Sequence, residues 1–194
     1  RFPVTDVRVF KGRDSIGVRG IKLAKDDFVV SMAIISHVEA SSEERQAYFK
    51  MRKSVGEEDG QIGAMEDSES NLTLSEKRFT ELSNQEEWIL TVTSAGFGKR
   101  SSAHEYRVSS RGGQGITAAN LGRRDDTIIS SFPVESDDQI MLVTSTGQSI
   151  RCPVQGISRQ SRTASGVTVF NTSNNEKVVS VAWIAEKNEN DIGN

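Results

Sequence analysis

A single cysteine, Cys152, stands in 194 residues. That excludes an internal disulfide framework and fits a reducing compartment, and the N-x-S/T sequons at Asn71 and Asn171 then read as chance matches. Aromatic residues make up 6% and apolar residues 35% of the chain, enough for a modest core and no more. No run of about 18 apolar residues occurs and no charged-then-apolar leader opens the chain, so the sequence gives no sign of a membrane span or a secretion signal. The two histidines, His37 and His104, are far apart and have no cysteine or carboxylate at ligand spacing, which argues against a metal site. The chain starts at Arg1-Phe2-Pro3-Val4 without an initiator methionine, as a fragment would.

Positive charge is also scarce on average, with a formal net charge of −3, but the average hides segregation. Between His37 and Glu87 there are 13 Asp and Glu against 6 Lys and Arg, a local net of −7, which leaves 18 basic and 14 acidic residues, a net of +4, elsewhere. Two regions of opposite sign share one chain. Within the acidic region, Ser41 to Lys53 consists of tolerable helix formers behind serines that can cap and glutamates that favour the positive end of the helix dipole, so a short helix is expected there. A second helical turn or two is expected from Glu76 to Glu87. The intervening polar stretch, residues 56 to 75, reads as a loop.

Outside the acidic region the chain repeats. Ile89-Leu90-Thr91-Val92-Thr93-Ser94-Ala95-Gly96 matches Ile140-Met141-Leu142-Val143-Thr144-Ser145-Thr146-Gly147 at an offset of 51, and the same offset carries Arg100 to Arg151, Arg111 to Arg162 and Gly115 to Gly166. Paired aliphatics ending in serine close each unit, at Val29-Val30-Ser31, Ile128-Ile129-Ser130 and Val178-Val179-Ser180. Short runs rich in Val, Ile and Thr, broken by turn signals at Ala95-Gly96, Thr146-Gly147 and Asn174-Asn175, give the pattern of four-stranded antiparallel sheets. Units of about 50 residues have the size of propeller blades. The expected architecture is therefore all-β: the C-terminal half of one blade (1–35), an acidic, partly helical insertion (36–87), a full blade (88–135), a second full blade (136–186) and a tail (187–194). Leu90, Val92, Val143, Ile150 and Val154 are expected on an apolar inner face, with Phe132 and Trp183 sealing blade to blade.

Glycine is concentrated where each unit turns. Ser110-Arg111-Gly112-Gly113-Gln114-Gly115 resembles a phosphate cradle, yet it lacks the Lys-Ser/Thr of a mononucleotide loop and the spacing of a dinucleotide loop. What recurs instead is R-x-x-x-G: Arg13 to Gly17, Arg111 to Gly115, with Gly112 and Gly113 inside it, and Arg162 to Gly166. One arginine per unit at an equivalent surface position suits a polymer better than a single nucleotide. Duplex DNA offers phosphates at regular spacing, and the arginine fork can donate two hydrogen bonds to one phosphate. Arg19, Lys22, Lys99, Arg100, Arg107, Arg123, Arg124, Arg151 and Arg159 lie around these turns, and the cations are expected to line one outer band. Asp26-Asp27, Asp125-Asp126 and Asp137-Asp138 sit next to turns and read as hairpin and strand-end residues.

Gly17-Val18-Arg19-Gly20-Ile21-Lys22-Leu23, Ile89 to Thr93, Gly96-Phe97-Gly98-Lys99-Arg100, Glu105-Tyr106-Arg107 and Val178-Val179-Ser180-Val181 together resemble the C-terminal domain of the DNA gyrase A protein. The resemblance covers residues 1–35 and 88 to about 186. It implies a β-pinwheel, blades joined by exchanged strands, whose basic rim wraps double-stranded DNA. It also implies a module that is non-catalytic by itself and carries no cofactor, ATP and magnesium belonging to other parts of the enzyme. The partners it implies are the N-terminal domain of gyrase A and the ATP-hydrolysing gyrase B, in a cytoplasmic bacterial A2B2 holoenzyme that introduces negative supercoils. On that resemblance the DNA-binding residues are Arg13, Arg19, Lys99, Arg100, Arg107, Arg111, Arg151, Arg159 and Arg162. Ser109 to Gly115 is similar to the family's Q-R-R-G-G-[KR]-G box but lacks its leading Gln-Arg and second cation, and so reads as a later, weaker copy. The alternatives are the corresponding C-terminal domain of topoisomerase IV, with fewer blades, and a propeller-like module that docks proteins through the acidic insertion.

Overall fold

The structure is a computed structural model that describes residues 1–54, 73–122, 125–173 and 176–184. Most of the expected acidic loop, Arg123 and Arg124, the Asn174-Asn175 turn and the tail lie outside the described residues. Two hairpins organise the β part. β1 (Trp88–Thr93) pairs antiparallel with β2 (Phe97–Ser102), and β4 (Gln139–Thr144) with β5 (Ser149–Pro153). On the other side of each lead strand lies the closing strand of its unit: β3 (Ile128–Val134) on β1 and β7 (Val178–Ile184) on β4. The repeat extends to a local irregularity, because the ladder shifts register between Val92 and Thr93 and again between Val143 and Thr144, positions 51 apart. Buried acids brace both hairpin turns. Asp126 accepts from the Ser94 hydroxyl at 2.7 Å and the Ala95 amide at 2.9 Å, while Glu176 accepts from the Thr146 hydroxyl at 2.5 Å.

The first sheet does not complete itself. Its order is β3-β1-β2-β6, and β6 (Val167–Thr168) comes from the following unit, pairing Thr168 with Phe97 and Val167 with Gly98. The second sheet has the order β5-β4-β7. Leu90 and Val92 of β1 face Ile140 and Leu142 of β4 in one core with Val134, Val154, Ile157 and Val178. By the repeat, Leu90 corresponds to Met141 and Ile140 to Ile89. The sheets therefore stack head to tail, opposite pleat faces of equivalent strands in contact, and Leu142 points inward where Val143 was expected to. Phe132 packs against this core as anticipated, whereas Trp183 is 55% exposed.

Residues 1–35 correct an expectation. They contain a short 3-10 turn, Val4–Asp6, and no strand, although they carry the β-prone sequence of a closing half-blade. Strand β3 forms on β1; residues 29–31 match β3 in sequence, but no counterpart of β1 is present among the described residues to pair with them. What remains is a seam, in which Ser31 Oγ donates to the Ser131 carbonyl at 3.0 Å and accepts from the Ser131 amide at 3.2 Å.

The helices fall in the acidic insertion. α1 (Ser42–Ser54) opens on a reciprocal capping box, Ser41 Oγ accepting the Glu44 amide at 3.1 Å and Glu44 Oε2 the Ser41 amide at 2.9 Å. α2 (Glu76–Asn84) is capped by Ser75, whose side chain accepts from the Arg78 amide. Tyr48, Phe49, Leu82, Ala47, Val38 and Leu74 form a separate small core. Far from being merely solvated, the described part of the insertion is docked. Within it Arg52 pairs with Glu86 at 3.0 Å with both side chains all but buried and Tyr48 Oη donates to Glu86 at 3.1 Å, while across the boundary His104, from the blade, bonds the Leu82 carbonyl through Nε2 at 3.0 Å.

Candidate nucleic-acid interface

The three R-x-x-x-G turns close in the same way. Their closing glycines have φ of +82° at Gly17, +78° at Gly115 and +85° at Gly166, a region that side chains with a Cβ rarely adopt. Successive turns are also linked. Arg111 donates through Nη1 to the Arg19 carbonyl at 2.5 Å and through Nε to the Asp6 carbonyl at 2.9 Å, and Arg162 donates through Nη1 to the Thr117 carbonyl. Arg19 lies two residues beyond Gly17, and Thr117 two beyond Gly115. Each arginine thus reaches back to the same point of the preceding turn. Backbone bonds run alongside, from Gly112 N to the Gly20 carbonyl and from Lys22 N to the Gly113 carbonyl, both at 2.8 Å. Neither guanidinium forms an ion pair among the described residues, and both are half-buried, with carbonyl partners that use up part of each fork.

The cations named from sequence divide into three groups. Arg13, Arg19, Arg107 and Arg151 are exposed; Arg111, Arg159 and Arg162 are half-buried; Lys99 and Arg100 are buried. The last two do not stand on the rim. Lys99 is 1% exposed and its ammonium donates to the carbonyls of Ser161 (2.8 Å), Arg162 (2.5 Å) and Ala164 (2.8 Å). Arg100 donates to the carbonyls of Ile157 (2.7 Å) and Gln155 (3.3 Å) and to Ser136 Oγ (3.3 Å). Both sit on β2 where the following unit crosses it, and carbonyl groups that converge in a turn need donors that water cannot reach to supply. Burial pushes the Lys99 pKa down to about 8, with Glu105 opposing the shift and Arg162 adding to it. Arg159 lies 4.4 Å over the Trp88 ring, which Arg52 of α1 also covers at 4.8 Å. Sequence reasoning missed this link between insertion and blade, because no periodic signal joins residues 52, 88 and 159.

A second concavity, a cleft of about 1070 Å³, lies between residues 32–38, 84–88 and 132–138, with Trp183 at its side. Its lining holds Glu86, Glu87, Glu135, Asp137 and Asp138 and, among the described residues, neither Lys nor Arg. Such a wall repels phosphate. Among the described residues no group of His, Cys, Asp or Glu is placed to hold a metal, and no helix is long and apolar enough to cross a membrane.

Antiparallel sheets of one repeat, the first finished by a strand from the next, define a strand-exchanged, propeller-type blade array. The chain belongs to the family described as DNA gyrase C-terminal domain, beta-propeller, whose model matches residues 1–36, 87–135 and 138–182 and leaves the helical insertion unmatched. It is 41% identical over 191 residues to the DNA gyrase A protein of Rickettsia conorii, covering 98% of this chain and 21% of that protein. To the DNA gyrase A protein of Granulibacter bethesdensis it is 47% identical over 193 residues, covering 93% of this chain and 20% of that protein. The chain thus spans about a fifth of the length of these relatives. A solved DNA gyrase A C-terminal domain aligns with a TM-score of 0.48 at 26% identity, over 50% of this chain and 33% of the other.

Proposed function

We propose that this chain is a DNA-wrapping module of a bacterial type II topoisomerase, non-catalytic by itself, which lays duplex DNA along the row of R-x-x-x-G turns. The observation that carries the reading is the linkage of the turns: Arg111 and Arg162 each bond to the preceding turn at the same relative position, so one arginine per blade is held at a fixed interval. Of the exposed cations, Arg13 and Arg19 belong to the first of these turns, Arg107 and Arg151 would add charge to the same surface together with the half-buried Arg159, and buried Lys99 holds the Arg162 turn from beneath. The wider setting follows from the relatives. The module would act in the cytoplasm with the rest of gyrase A and with gyrase B in an A2B2 enzyme, ATP and magnesium serving other domains, and the wrap would favour negative supercoiling.

A salt titration of duplex DNA affinity tests the reading. A surface that neutralises on the order of 3 to 5 phosphates gives a log–log slope of roughly −3 to −5 with little dependence on sequence. Replacing Arg111 and Arg162 together by Ala flattens that slope by about 2, and a melting curve on the same samples separates lost contacts from lost fold. An unchanged slope in a folded double variant moves the DNA site off the turns.

A further inference from the structure

The buried lysine beneath the last turn has no direct part in that reading, and its surroundings assign it one. Lys99 has three N–H donors, and the three carbonyls that accept them, those of Ser161, Arg162 and Ala164, lie in the R-x-x-x-G turn of the next unit or immediately before it. The same turn is tied from three further sides. Glu105 accepts the Arg162 amide at 2.6 Å, and Gln160 accepts the Gly166 amide at 3.1 Å. Gly166 lies so close to the Gly98 carbonyl that an added Cβ would stand 2.8 Å from its oxygen. At 1% exposure the ammonium cannot reach a phosphate on the surface. The offset of 51 carries Lys99 to Ile150, so the repeat does not supply this lysine to the second full unit.

We propose that Lys99 is a positioning residue: it fixes the turn that presents Arg162 and sets that arginine's place in the row without touching DNA. The inference rests on the DNA-binding reading above. Without the ammonium, the Ser161 and Ala164 carbonyls keep only the amides of Ala164 (3.0 Å) and Asn120 (3.3 Å) and the Arg162 carbonyl loses its donor, so the turn loosens and Arg162 loses its register with Thr117.

The test is a double-variant cycle in the full-length polypeptide that carries this segment, using Lys99→Met, Arg162→Ala and both together. Duplex DNA affinity is measured against salt, and amide hydrogen exchange is measured at residues 161–166. A positioning role predicts that Lys99→Met flattens the salt slope by about 1, as Arg162→Ala does. It also predicts that Lys99→Met speeds exchange in the turn, and that the double variant binds no more weakly than Arg162→Ala alone. Additive weakening with the turn still protected would overturn it, as would parental binding by Lys99→Met where Arg162→Ala is impaired. A parental slope in Arg162→Ala overturns the DNA-binding reading itself, and turn exchange in Lys99→Met, which is read without DNA, tells the two failures apart. If Lys99→Met does not fold, Lys99→Gln keeps two donors for the three carbonyls and is expected to shift slope and exchange in the same direction by less. Parental values of both in that variant would also overturn the proposal.

Discussion

The blades and the helical insertion are held together by different means. In the blades the main links are backbone ladders, a local hairpin and a ladder to a distant closing strand, repeated with the same bulge and a similarly braced turn in each unit. The insertion has local helices, a small core and a buried ion pair of its own, Arg52 with Glu86, to which Tyr48 also donates, and a seam to the blade made of side chains: His104 with the Leu82 carbonyl, and Trp88 beneath Arg52 and Arg159. Ladders tolerate sequence change because the backbone supplies the bonds. A buried ion pair does not, since removing either partner strands the other charge.

The largest effect should therefore come from breaking that pair. Arg52→Ala leaves Glu86 buried without its cation and should cost about 4 kcal/mol. Hydrogen exchange should show that loss in residues 42–54 and 76–84 while β1 to β7 keep their protection. Uniform loss across both regions would mean that insertion and blades unfold as one cooperative unit.

A smaller effect is expected within the repeat. Gly166→Ala forces a Cβ onto the Gly98 carbonyl at φ +85° and should cost about 2 kcal/mol, whereas Gly17→Ala, with nothing within 4 Å of the new Cβ, should cost about 1 kcal/mol from backbone strain alone. Thermal melts of the two variants compare a glycine packed on the backbone of the preceding blade with one in open space. Equal costs would show that the exchanged strand adds nothing at Gly166.

The smallest effect is one of pH. Burial raises the Asp126 pKa, but hydrogen bonds from Thr93, Ser94, Ala95 and Thr127 outweigh it and hold the carboxyl below its ordinary value. A depressed folded pKa contributes stability that is present above the unfolded value, about 3.9, and is lost as pH falls through the folded one. Asp126→Asn should therefore shallow the acid limb of the melting curve below about pH 4 and leave the shape of the alkaline side unchanged. A parental acid limb would show that the brace is not electrostatic.

Much of this was legible in the sequence. The offset of 51 located both hairpins and the recurring turns, the serines ahead of Glu43 located the first helix, and the turn or two of helix expected over Glu76 to Glu87 forms as Glu76–Asn84. Strand structure in residues 1–35 was misread because β-propensity expresses itself only where a partner strand exists. Lys99 and Arg100 were read as surface cations because composition favours that for any charged residue, whereas the neighbours that bury them, residues 155–164, are distant in sequence. For the same reason, the docking of the insertion gave no signal.

The exchanged strand has a mechanical consequence. Thr168 and Val167 lie on Phe97 and Gly98, and the amides of Val169 and Phe170 both bond to the Gly96 carbonyl, so the second unit is stitched into the first by its own backbone. A pull on the second unit is then resisted by hydrogen bonds inside the first unit's sheet as well as by the side chains packed between them. The load path runs through covalent chain and ladder, so tension along a bent polymer on the rim would be shared between neighbouring units instead of prising them apart one at a time.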